Sequence, residues 1–166
     1  MNKPDWLPEL INLSEYSGNW EIYLEALYAI FRCDFITGRT YYQGSLVNLL
    51  KPEISEGKEA TFWHIISEGK IEEDRIIDID RCKRIRWPKP IIVKSDTDKI
   101  LCTWESQRGR ENRILIRLTF LEDDYLVVLI RRKRNIYLLT AYLVKYINQK
   151  RNLEQEYEAY KANAAL

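Results

Sequence analysis

The sequence predicts an α+β protein: N-terminal helices, then a four-stranded antiparallel sheet, then a closing C-terminal helix. Three observations carry this. Apolar residues recur at helical spacing from Trp20 to Phe35. Between Lys99 and Val144, four strand-like stretches alternate with short polar turns, the pattern of an antiparallel meander. Beyond Lys145 the chain returns to a helical, polar-rich pattern. A length of 166 residues is one domain's worth, and no repeat or Gly/Ser/Pro-rich linker divides it. We read residues 1–166 as one domain, with 1–55 a helical N-terminal extension and 60–160 the core.

In chain order, Leu7 to Leu13 suggests a short helix. Trp20, Tyr23, Leu24, Leu27, Tyr28, Ile30 and Phe31 then mark the core-facing side of a longer one, with Ser17 and Gly18 as caps and Glu21 in the first turn. Gly38, Gly44, Pro52 and Gly57 punctuate a loop-rich stretch in which Ser45 to Leu50 is a short strand. Phe62 to Ile66 fits a strand or one buried helical turn, and periodicity does not decide over five residues. Asp78 to Trp87 reads as a helix that Pro88 ends, with Ile91 to Lys94 extended after it. The meander strands are Lys99–Glu105, Arg113–Phe120, Tyr125–Ile130 and Ile136–Val144. A helix over about 145–161 closes the chain, with Tyr146, Leu153, Tyr157 and Tyr160 toward the core.

Composition excludes several classes. With 46% hydrophobic and 31% charged residues the chain is not disordered, and it lacks the apolar run of a membrane helix. Met1 to Asp5 lacks the start of a signal peptide, and Cys33, Cys82 and Cys102 form no CxxC pair, so the expected compartment is the cytoplasm. One histidine and three scattered cysteines give no metal-ligand spacing, and no GxSxG, P-loop, GxGxxG or HExxH occurs. No metal and no cofactor is expected. The net charge of +1 hides a polarity: residues 1–74 carry 6 Lys/Arg against 13 Asp/Glu, and residues 75–134 carry 16 against 9. Either the halves neutralise each other across the fold, or the basic middle meets phosphates.

The lone His64, between Trp63 and Ile65, is a core imidazole or a general acid–base. Arg81, Lys83, Arg84, Arg86 and Lys89 form the densest basic cluster: a solvated face, or a fork for a phosphate. Trp104 with Arg108, Arg110, Arg113 and Arg117 makes a basic hairpin, and Arg131 to Arg134 a basic turn. Such hairpins suit single-stranded nucleic acid, where aromatics stack on bases, or they protect a sheet edge. Thr140 and Tyr142, two apart on an apolar strand, put two hydroxyls on one face.

Taken in order, His64, the arginine-bearing helix, Trp104, the run Asp124 to Leu129, the basic turn and Tyr137-Leu138-Leu139-Thr140-Ala141-Tyr142 before a helix with Glu156-Tyr157 form a set. Over about residues 60–160 this set resembles the barnase–EndoU–colicin–RelE-like ribonuclease superfamily, especially its phage-associated branches. The resemblance implies a barnase/RelE-like fold and metal-independent RNA cleavage, in which a ribose 2′-hydroxyl attacks the adjacent phosphorus. By the same resemblance, His64 is the early basic residue, Arg81 or Arg84 stabilises the phosphorane, and Thr140, with Tyr142, supplies hydroxyls. Arg86, Trp104, Arg108, Arg110, Arg131 and Arg134 are candidates for holding RNA. The sequence lacks the second histidine of the EndoU pattern, which leaves the general acid unassigned. Implied partners are single-stranded RNA or tRNA, with a cognate antitoxin or immunity protein if the protein is a toxin. A non-catalytic nucleic-acid-binding or adaptor module, and a self-associating structural protein, are the alternatives on the same fold.

Overall fold

The computed structural model describes residues 2–166 as an α+β fold. Helix α1 (Trp20–Phe35) starts where predicted, but its cap is Asn19, whose side chain accepts the Ile22 N–H at 3.2 Å. Tyr23, Leu27, Phe31 and Phe35, spaced every fourth residue, are buried along one stripe. Gly38 ends this region for a steric reason, since a Cβ there would lie 1.9 Å from the Cys33 carbonyl oxygen. The short helix expected at Leu7 to Leu13 is absent; a single 3-10 turn at Leu13–Tyr16 stands after it.

Four short strands follow: β1 (Tyr41–Tyr42), β2 (Ser45–Leu49), β3 (Ile54–Ser55) and β4 (Lys58–Glu59). The Phe62 to Ile66 run is helical, within α2 (Ala60–Ile66), and buries Phe62, Ile65 and Ile66. Strands β5 (Ser67–Glu68) and β6 (Ile76–Ile77) pair across a 3-10 turn at Glu72–Asp74. The helix expected over Asp78 to Trp87 is shorter: α3 spans Ile79–Lys83 and ends at Arg84, which leaves helical geometry. Pro88 opens a helix rather than only ending one, because its fixed φ suits the first helical position. Helix α4 (Pro88–Lys94) therefore replaces the extended segment expected at Ile91 to Lys94.

The meander consists of β7 (Leu101–Arg108), β8 (Glu111–Phe120), β9 (Asp123–Arg132) and β10 (Asn135–Leu143). The expected four-stranded antiparallel sheet is nevertheless too small. The sheet has six strands in the order β1-β2-β10-β9-β8-β7, and β2 runs parallel to β10. The first 55 residues are thus not a helical extension alone, since they supply two of these strands. The closing helix is α5 (Ile147–Ala164).

Both sheet faces are covered. Helices α1 to α4 bury the inner face over Ile114, Ile116, Tyr125, Val127, Leu129 and Leu138. On the outer face, Leu153 of α5 packs with Trp104, Leu115, Leu126 and Val128. The parallel β2–β10 pairing runs only from Ile136↔Val47 to Leu138↔Leu49. At that point β10 has a bulge, and Thr140↔Val128, Ala141↔Val127 and Tyr142↔Leu126 continue on the β9 side only. Past the bulge, Thr140 and Tyr142 of β10 meet Arg81 of α3 in place of a strand. Among the described residues, no helix is long and apolar enough to cross a membrane.

Candidate active site

A groove of about 670 Å³ opens where β2 leaves β10. Its walls are His64 at the end of α2, Glu68 to Lys70 and Arg75 beyond it, Asp78 and Arg81 at α3, Thr140 and Tyr142 on β10, Arg113 on β8, and Lys145, Tyr146 and Gln149 at the foot of α5. Five cationic side chains (Lys70, Arg75, Arg81, Arg113 and Lys145) face two carboxylates, Glu68 and Asp78.

Arg81 is the hub. Asp78 caps α3 by accepting the N–H groups of Asp80 and Arg81, which aims the first turn at the groove. From there Arg81 Nη1 donates to Thr140 Oγ1 at 3.3 Å and to the His64 carbonyl at 3.2 Å. Its guanidinium lies 5.0 Å from the Tyr142 ring centre. Burial draws its pKa down, while Asp78, 3.7 Å from Nε, pulls the other way. Its Nε is buried without a hydrogen-bond partner. The bulge in β10 falls before Thr140, so Thr140 and Tyr142 share one face of a regular stretch, as the residue spacing predicts.

Tyr142 is held protonated: burial raises its pKa against the lowering effect of Arg81. Its oxygen accepts a hydrogen bond from Gln149 Nε2 at 3.2 Å, which leaves the hydroxyl proton to donate. Thr140 likewise accepts from Arg81 and keeps its own proton.

The His64 imidazole has a side-chain exposure of 12%. Burial lowers its pKa and Arg75 adds to this, outweighing the Glu72 carboxylate 2.8 Å from Nε2. Nε2 lies between Glu72, which only accepts, and Lys51 Nζ at 3.2 Å, which only donates; the tautomer that donates Nε2–H to Glu72 leaves the lone pair on Nδ1. Lys51 Nζ, 3.3 Å from the same carboxylate, completes the cluster. Burial raises the Glu72 pKa, but its bonds to His64 and Lys51 win and hold it low. Arg75 ties the end of α2 to the following loop through the carbonyls of His64, Ser67 and Gly69.

The other predicted residues lie elsewhere. Arg84 is buried away from the groove, against the Trp87 ring at 5.0 Å and the Asp80 and Asp123 carboxylates at 3.8 Å. Because α3 ends at Arg84, Arg81 and Arg84 do not share a face, and only Arg81 enters the groove. Trp104 is 1% exposed and packs on Tyr157, so its indole presents no face to a base. Arg86 lies exposed on the α1–α4 side. Arg108, Arg110, Arg131 and Arg132 surround a second, shallower depression of about 380 Å³ at the hairpin end of the sheet. Arg108 is paired with Glu156 and Arg131 with Glu105, both at 2.8 Å. Arg134 is exposed in the β9–β10 turn at the same end. Sequence reasoning missed Lys70, Arg75, Lys145 and Gln149, each isolated among unremarkable neighbours and gathered only by the tertiary fold.

Among the described residues, no group of three or more His, Cys, Asp and Glu side chains is arranged to hold a metal ion. Comparison with family models, with curated proteins and with solved structures finds no match for the chain.

Proposed function

We propose that this protein is an endoribonuclease that cleaves RNA by internal transphosphorylation without a metal, on a barnase/RelE-like variant of the α+β fold. One observation carries the reading: one half-buried guanidinium, Arg81, touches the Thr140 hydroxyl, the Tyr142 ring and the backbone carbonyl of His64 in one cationic groove. In this reading His64 Nδ1 takes the proton of a ribose 2′-hydroxyl. The 2′-oxygen bonds to the adjacent phosphorus, the bond from phosphorus to the 5′-oxygen breaks, and Tyr142 delivers a proton to that oxygen. Arg81 and the Thr140 hydroxyl stabilise the charge that grows on the phosphoryl oxygens. The products are a 2′,3′-cyclic phosphate and a free 5′-hydroxyl.

Arg113 at the groove wall is paired with the Glu111 carboxylate at 2.7 Å, and Glu111 borders the hairpin-end depression, so a phosphate reaching Arg113 would have to displace that carboxylate. The charge map favours such a partner. Among the described residues, no ion pair joins residues 1–74 to residues 75–134; residues 75–134 pair among themselves, with Lys145 and with α5. A toxin role in the cytoplasm, with single-stranded RNA or tRNA as substrate and an acidic antitoxin or immunity protein over the groove, is the corresponding biological proposal.

The test is incubation of the purified chain with a mixed RNA pool and tRNA in EDTA, beside His64→Ala, Arg81→Ala and Arg84→Ala. The expected result is cyclic-phosphate ends, with the rate down about 10²–10³-fold in Arg81→Ala. His64→Ala should be similarly impaired, and folded Arg84→Ala should cleave normally. RNA binding without cleavage in every sample would replace this reading with the adaptor function.

A further inference from the structure

Along the flank of α1, a further cleft of about 680 Å³ runs between α1 and α4 and shares no residue with the RNA groove. Its floor is apolar: Trp6, Ala29, Ile30, Pro90 and Val93, with Val93 48% exposed on a helix that is otherwise well packed. The walls are preset. Trp6 Nε1 donates to Asp98 at 2.6 Å, and Trp87 Nε1 donates to the Pro8 carbonyl at 2.9 Å, which pins the N-terminal segment along the cleft. Two prolines stiffen it further. A ligand entering such a site has little ordering cost to overcome.

The charge around the cleft is one-sided. Arg86, Lys89 and Lys94 rim it, and none of the three has an ion-pair partner among the described residues. The single acid in the lining is Asp34, whose partly buried carboxyl faces Arg86 and Lys89 without reaching either. Three cations against one acid leave a positive surplus over an apolar floor. A small inorganic anion would lose hydration there and gain nothing from the floor. A neutral hydrocarbon would leave the cations unused.

We propose that this cleft binds an amphiphilic organic anion, its hydrocarbon body on the α1–α4 floor and its acid head among Arg86, Lys89 and Lys94. The volume lies in the range of small-molecule sites. The reading is independent of RNA cleavage, because the two sites share no side chain.

The experiment is calorimetric titration of the full chain with decanoate below its micelle concentration, beside decyltrimethylammonium, which has the same tail and the opposite charge. The expected result is one decanoate per chain, with the cation about tenfold weaker or absent. Val93→Glu, at an exposed position, should abolish decanoate binding while leaving the circular dichroism spectrum unchanged. Lys89→Ala and Lys94→Ala should each weaken it about fivefold, and His64→Ala should bind as the parent does. Equal binding of the two surfactants, or undiminished decanoate binding in Val93→Glu, would overturn the proposal. So would a dimer of the free chain that Val93→Glu dissociates, since a second copy would then be the occupant.

Discussion

Replacing Asp124 by Asn tests how β8, β9 and α5 are tied together. Arg117 of β8 and Asp124 of β9 are 8% and 4% exposed and meet end to end, Nε to Oδ1 at 2.8 Å and Nη2 to Oδ2 at 2.6 Å. The third guanidinium nitrogen reaches Glu154 of α5 at 3.1 Å. The Asp124 carbonyl also accepts the Val144 N–H at 2.7 Å, just before the foot of α5. Asp124 is the main cause that raises the Arg117 pKa, opposed by burial. Deleting one partner of a buried pair costs about 3–5 kcal/mol, because the other charge stays desolvated. Here the Asn oxygen still accepts one bond and Glu154 remains, so we expect about 3 kcal/mol. For a domain of this size that is a fall of about 6–12 °C in Tm. Urea unfolding followed by tryptophan fluorescence gives the free energy directly. The double variant Arg117→Met/Asp124→Leu removes both charges and should lie within about 1 kcal/mol of the parent. A single variant that loses under about 1 kcal/mol, or a double variant less stable than the single, would refute the view that an uncompensated Arg117 is what the carboxylate prevents.

Three further outcomes follow from the same physics. Because burial lowers the His64 pKa below its ordinary value near 6.5, the folded chain binds fewer protons than the unfolded one just below that pH. Stability should therefore fall as pH drops through about 6.5, and His64→Gln should flatten that limb of a denaturation–pH series. Burial pushes the Asp34 carboxyl up to about 6, against Lys89 and Arg86, so the fold favours its protonated form. Its destabilising effect grows as pH rises from about 4 to about 6, and Asp34→Asn should gain about 1 kcal/mol at pH 7 and little at pH 4, the full shift being discounted for solvent access. Trp104→Phe removes a buried indole N–H that has no acceptor, offsetting the lost volume; melting should place it within about 1 kcal/mol of the parent, and an RNA-binding assay should show unchanged affinity.

What the sequence disclosed follows the range of the interactions involved. Helix α1 was legible because its burial stripe is written in neighbouring turns, and the meander because two-residue turns such as Gly109-Arg110 join strands adjacent in the chain. The α3–α4 break was not, because Pro88 carries two meanings, ending one helix or opening the next, and the choice is made by what Ile91 and Ile92 bury. Thr140 and Tyr142 were assigned to one face by strand alternation, and the bulge before them leaves that alternation intact. The bulge at Leu139 shifts the register against β9, but the shift falls before both residues and so moves them together.

The groove itself was not legible, because it arises from a pairing that stops. Strand β2 aligns with β10 across 89 positions of chain and ends at Leu49. Had it run four residues further, it would have covered the β10 edge that now faces α2 and α3, and Arg81 would have had no path to Thr140. The pairing length is set locally, by Pro52 soon after the strand and by the Lys51 backbone, which bonds Thr61 instead of continuing the ladder. The same turn positions Lys51 beside His64 and Glu72. The segment that ends the strand thus also furnishes the charge behind the imidazole, so changes at residues 50–52 should act on the groove through geometry and through electrostatics together.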